Sequence, residues 1–143
     1  MKKITVFVFA SILCFCLFSG MERAASAEDE KHPIDVEVER RLEADYSTAG
    51  MLDAIQYGYD EWDKLLNANY KALMEKLSKE QQEKLRASQR EWIKFRDLEF
   101  KFNSDFFSDR GSLGRVEGLS FASDLVKERA LTLGRYLAEF ESL

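Results

Sequence analysis

The sequence predicts an all-α fold: an antiparallel helical hairpin with a shorter helix at each end, closed into a small helical bundle. Apolar residues step by three and four along four separate segments, the spacing of one helix face. No stretch shows the strict alternation of a half-buried strand. Between the two longest stripes, Ser78-Lys79-Glu80-Gln81 matches a capping box, which ends one helix and starts the next.

The domain starts after a different kind of segment. Lys2 and Lys3 precede an almost wholly apolar run from Ile4 to Phe18, and Ala25-Ser26-Ala27 offers a small-x-small cleavage site. This pattern predicts a secretory signal peptide over residues 1–27, cleaved after Ala27, and places the mature chain in the periplasm or outside the cell. The apolar run is too short for a comfortable membrane span. Cys14 and Cys16 lie inside it, so the processed chain is expected to use neither disulfides nor thiolate chemistry. Cleavage removes 27 of 143 residues and leaves 116, enough for one domain with a real core. It also removes Lys2, Lys3, Glu22 and Arg23, taking the formal charge from −5 to −7. That acidity disfavours nucleic acid and anionic membrane surfaces and suits a basic partner.

Residues 28–33 read as a charged, flexible leader. Pro33, the only proline, opens a first helix from Ile34 to about Glu43, with Ile34, Val38 and Leu42 on one stripe. Ser47 or Thr48 can cap a second helix, about Ala49 to Leu77. Its stripe runs Met51, Ile55, Tyr59, Trp62, Leu66, Tyr70, Leu73 and Leu77. The third helix, about Lys79 to Phe107, has two apolar faces. One holds Leu85, Gln89, Trp92, Arg96 and Phe100; the other holds Phe95, Leu98, Phe102 and Phe106. So wide a surface predicts more than one neighbour. Gly111, Gly114 and Gly118 make Ser108 to Gly118 read as a loop, and a last helix is expected over Leu119 to Glu141.

Little in this chain can do chemistry. His32 is the only histidine, so triad, thiol and zinc sites are effectively excluded. Glu28, Asp29, Glu30 and His32 read as a solvated terminus rather than a metal site. The pairs Asp60 with Asp63 and Asp97 with Glu99 read as solvated helix faces, since glycosidase work needs two carboxyls across a deep cleft. Gly111-Ser112-Leu113-Gly114 lacks the lysine and preceding strand of a phosphate cradle. No enzyme, cofactor or metal is expected. The polar residues inside the stripes, Asn67, Gln89 and Arg96 with Arg129, need partners if buried. Counted outward from Ser78, Asn67 lies level with Gln89 and Asp63 with Arg96. Both pairs are expected to join the hairpin and fix its register.

The same residues carry a resemblance. Trp62-Asp63-Lys64-Leu65-Leu66-Asn67-Ala68-Asn69-Tyr70, followed by Gln89-Arg90-Glu91-Trp92-Ile93-Lys94-Phe95-Arg96-Asp97, resembles the two helical motifs of the LprI-type lysozyme inhibitors, small exported bacterial domains. Trp62, Asp63, Leu66, Asn67, Tyr70, Gln89, Trp92, Arg96 and Asp97 match those motifs and read as structural. His32 to Asp35, Thr48 to Met51 and Arg129 to Leu137 look similar too. Typical members carry cysteines at positions that fall here near Arg41, Ala54, Phe100 and Phe121, so this chain resembles a cysteine-less variant. The resemblance implies an exported protein-binding domain whose partner is lysozyme or another basic protein. The alternative is an envelope structural or adapter module that binds a different protein. Exposed aromatics and acids near Asp105 to Arg110, with the glycine segment, are the candidate surface, because loops often bind.

Overall fold

The computed structural model describes residues 31–142. The expected signal peptide over 1–27, Cys14 and Cys16, and residues 28–30 of the expected leader lie outside them. Four α-helices make up the domain: α1 (Pro33–Ala44), α2 (Thr48–Lys76), α3 (Lys79–Phe106) and α4 (Gly111–Glu141). A short 3-10 turn, Ser108–Arg110, joins the last two, and no strand is present among the described residues. The all-α bundle is as the apolar spacing predicted. The proportions differ, because α4 has 31 residues and is the longest helix rather than a short one.

Local chemistry explains the starts. Ser47 Oγ accepts from the Gly50 amide at 3.1 Å and opens α2. At Ser78 the expected capping box is present: its Oγ accepts from Gln81 N at 3.4 Å, and Gln81 Oε1 accepts from Ser78 N at 3.0 Å. His32 and Pro33, expected within a flexible leader, are the cap and first residue of α1. His32 Nδ1 accepts from the Ile34 amide at 3.2 Å, and its ring lies 4.4 Å from that of Trp62.

The expected loop over 108–118 is also corrected. Only Gly111, at φ +60°, needs the left-handed backbone that glycine adopts without strain, and it makes the corner. From there the chain is helical, although each interior glycine costs about 1 kcal/mol relative to alanine. Packing outweighs that cost at Gly114, where a side chain would collide with the Phe107 carbonyl.

The core lies between α2 and α4. Trp62, Leu66 and Leu73 from α2 meet Val126, Ala130 and Leu133 from α4, all of them buried. These two helices run parallel: Gly58 faces Ser123, and Asn69 faces both Ala130 and Gly134. α1 runs antiparallel along the first half of α2, close enough that a Cβ at Gly58 would sit 2.8 Å from Val38 Cγ2. Asp35 reaches across to Lys127 of α4 at 2.8 Å.

α3 returns antiparallel to both, as the hairpin requires, with Tyr59 and Phe100 rings 6.2 Å apart at one end and Gln82 Nε2 donating to the Met74 carbonyl at the other. Its backbone scarcely comes within 8 Å of α2, however. α3 is held at a distance by long side chains, and Leu85, Trp92 and Phe100 lean onto the core without being fully buried. Its buried residues are polar, Gln89 and Asn103.

Candidate functional site

The matched motif residues occupy different surroundings, from the buried Trp62 to Asp97, whose side chain is about half exposed. Trp62 and Leu66 are core, and Tyr70 packs against the core from its edge. Asn67 does not cross to Gln89: its Nδ2 donates to the carbonyl and the carboxylate of Asp63, at 2.8 and 2.9 Å, on its own helix. Arg96 pairs with its neighbour Asp97 at 2.7 Å rather than with Asp63. Both register pairs expected from counting are therefore corrected. Counting supposed that α2 faces α3, whereas α2 faces α4.

The polar ties run to α4 instead. Asn69 Nδ2 donates to the Ala130 carbonyl at 2.9 Å. Arg129 Nε donates to Gln89 Oε1 at 3.0 Å, and its guanidinium lies 5.9 Å from the centre of the Trp92 ring. Partial burial lowers the pKa of Arg129 from its usual value, since desolvation disfavours the charged form.

Arg41, Ala54 and Phe121, near which the resemblance implied cysteines, lie at helix contacts. Arg41 of α1 reaches Asp53 at 3.5 Å and stacks 3.9 Å over the Tyr57 ring of α2, bracketing the buried Ala54. Phe121 of α4 packs 5.7 Å from Phe107 at the end of α3. Side-chain packing joins these helix pairs.

A surface feature remains that the scaffold does not use. The second apolar face of α3, expected to meet another helix, is bare: Phe95, Leu98, Phe102 and Phe106 are 49, 64, 59 and 56 % exposed. Eleven residues of helix separate its ends, about 16 Å. The stripe runs on through touching rings, Phe102 to Phe106 at 5.6 Å, Phe106 to Phe107 at 5.0 Å and Phe107 to the exposed Phe121. Arg110 lies over the Phe106 and Phe107 rings and is fixed by Glu117 at 2.9 Å. Contiguous exposed aromatic surface of this kind marks interaction sites on soluble domains.

Beside this ledge opens a cleft of about 410 Å³, between the first half of α2, the end of α3 and the start of α4. Tyr59, Phe100 and Phe107 give it aromatic walls, and Gly114 and Gly118 present bare backbone. Burial raises the pKa of the Tyr59 phenol, which keeps it neutral. No group of three or more His, Cys, Asp or Glu side chains among the described residues could hold a metal. None of their helices is long and apolar enough to cross a membrane.

Charge is unevenly divided. Residues 32–77 carry ten acids against five bases, whereas residues 78–142 balance twelve against twelve. The acidic excess therefore belongs to α1 and α2, and the aromatic ledge to the electrically balanced α3 and α4. Sequence reasoning found the ledge residues but took them for a second packing face. It placed Tyr59 on the core stripe of α2 and Asn69 in the motif but gave neither a partner, and it did not single out Asn103, because these contacts depend on which helices adjoin.

Residues 40–133 match the family described as Lysozyme inhibitor LprI, a span that holds both helical motifs and the whole core cluster. No curated protein and no solved structure matches the chain.

Proposed function

This chain belongs to the LprI lysozyme inhibitor family, and from that premise we propose that it is an exported, non-enzymatic domain that binds a lysozyme and blocks it. The bare aromatic ledge of Phe102, Phe106 and Phe121, with Arg110 fixed among the rings, carries this reading. Aromatic and arginine side chains dominate the energetic centres of protein interfaces. The acid excess on α1 and α2 supports it too, because lysozymes are commonly basic and opposite charge speeds encounter more than it tightens the complex. Inhibition needs no catalytic group. The single histidine is occupied as a helix cap and ring partner of Trp62. Export rests on Lys2, Lys3, the Ile4–Phe18 run and the Ala25-Ser26-Ala27 site.

A turbidity assay of cell-wall lysis by a basic lysozyme tests the proposal. The processed protein in molar excess should slow clearing, and Phe102→Ser with Phe106→Ser should abolish the slowing while the circular dichroism spectrum stays unchanged. Undiminished lysis at high excess would defeat inhibition of that lysozyme. Binding without inhibition would favour the adapter reading.

A further inference from the structure

We infer that the cleft beside the ledge is a second binding site, for the C-terminal aromatic residue of a peptide: ring, amide and carboxylate together. It goes beyond lysozyme inhibition and requires none.

Three groups assign the three parts. The ring belongs between Tyr59, Phe100 and Phe107, in a space of about 410 Å³, within the range of small-molecule sites. The amide belongs to Asn103. The residue is buried, 7 % exposed, and its side chain makes no hydrogen bond to any described residue. No fully enclosed side-chain nitrogen or oxygen among the described residues lacks a partner. The Asn103 carboxamide is therefore not fully enclosed, and the residue lines the cleft. A carboxamide offers one acceptor and two donors, the complement of a peptide group. Water can meet this group while the cleft is empty, and a peptide group that displaces the water can take over its hydrogen bonds.

The carboxylate belongs to Arg115 at the rim. It is exposed and has no carboxylate among the described residues to pair with, unlike its neighbour Arg110, which Glu117 holds. Guanidinium and carboxylate form paired, charge-assisted hydrogen bonds, which favours an acidic ligand over a neutral amide at this rim. Gly118 keeps the space open. A Cβ there would rest 3.7 Å from Phe107 Cδ2, an ordinary contact, so a larger side chain is tolerated by the fold and grows into the cleft.

The test is nitrogen-15 NMR of the purified protein titrated with N-acetylphenylalanine. The Asn103 side-chain amide and the Gly118 backbone amide should shift saturably below about 10 mM, a weak but real affinity. N-acetylphenylalaninamide should bind several-fold more weakly, and N-acetylglycine should shift neither signal. Gly118→Leu should abolish binding with the helical spectrum intact, and Arg115→Ala should bring acid and amide to equal affinity. No saturable shift with N-acetylphenylalanine would overturn the proposal. Equal binding of acid and amide by the unaltered protein would overturn the carboxylate assignment, as would undiminished binding by Gly118→Leu for the cleft. Should that variant lose its fold, Asn103→Leu carries the decision, since unchanged affinity there removes the amide contact. Lysis inhibition is measured on the same samples, so loss of one activity with retention of the other separates the two sites.

Discussion

Asn67 and Asn69 are two residues apart on α2, are chemically identical, and should respond unequally to replacement by alanine. Asn67 bonds within its own helix, to Asp63, and is exposed. Asn69 crosses to the Ala130 carbonyl on α4 from a half-buried position. Each change gains about 0.5 kcal/mol in helix propensity. Asn67→Ala loses an exposed contact within one helix, about 0.2–0.5 kcal/mol, and should leave stability nearly unchanged. Asn69→Ala loses an interhelix hydrogen bond, about 0.5–1.5 kcal/mol, together with packing against Gly134, whose Cβ position lies 3.2 Å from Asn69 Nδ2. A difference of about 1 kcal/mol between the variants follows, or about 4 °C in Tm for a domain of this size. Urea unfolding followed by circular dichroism at the helical band measures it. Equal stability of the two variants, or a greater loss at Asn67, would refute the placement of α2 against α4.

Gln89→Leu should cost about 1 kcal/mol or more, because it takes the acceptor from the half-buried Arg129 Nε and leaves the guanidinium only Ser88 Oγ, at 3.4 Å. Adding Arg129→Met should recover part of that loss, since removing both polar partners is cheaper than stranding one; urea midpoints of the single and double variants check this. Glu37 has its carboxyl held down to about 2, chiefly by the Arg40 side chain and secondarily by Arg41, against opposing desolvation. Its folded pKa lies below the unfolded value of about 4.3. The stabilisation it contributes is thus present above that value and is lost as pH falls toward 2. A carbon-13 titration should place the Glu37 midpoint near 2, and Arg40→Gln should raise it; because the pair is at the surface, added salt should do the same.

The helix class, the caps at Ser47 and Ser78, and the core face through Trp62, Leu66 and Leu73 were legible because each follows from spacing or from a local hydrogen bond. Adjacency was not. A stripe says that a face is buried, not by which helix, and nothing local at Asn67 or Gln89 indicates that α4 intervenes. Gly114 reads as a breaker because its compensation, close approach to the Phe107 carbonyl, is tertiary. The candidate surface near Asp105 to Arg110 takes in Phe106 and Arg110 of the ledge, but not the face before them. An apolar face destined for a partner has the same periodicity as one destined for a neighbouring helix, so Phe95, Leu98 and Phe102 could not be told apart from core.

Because α2 and α4 lie side by side in the same direction, the chain must travel the whole length of the molecule and back before its interior can close. Asn69 meets a partner 61 positions later, and Trp62 waits for Lys127 and Val126. Loop closure over such separations delays the rate-limiting step of folding. A ribosome that still holds residues 111–141 therefore holds back half of the interior. A chain that lacks α4 presents the uncovered Trp62–Leu73 face to proteases.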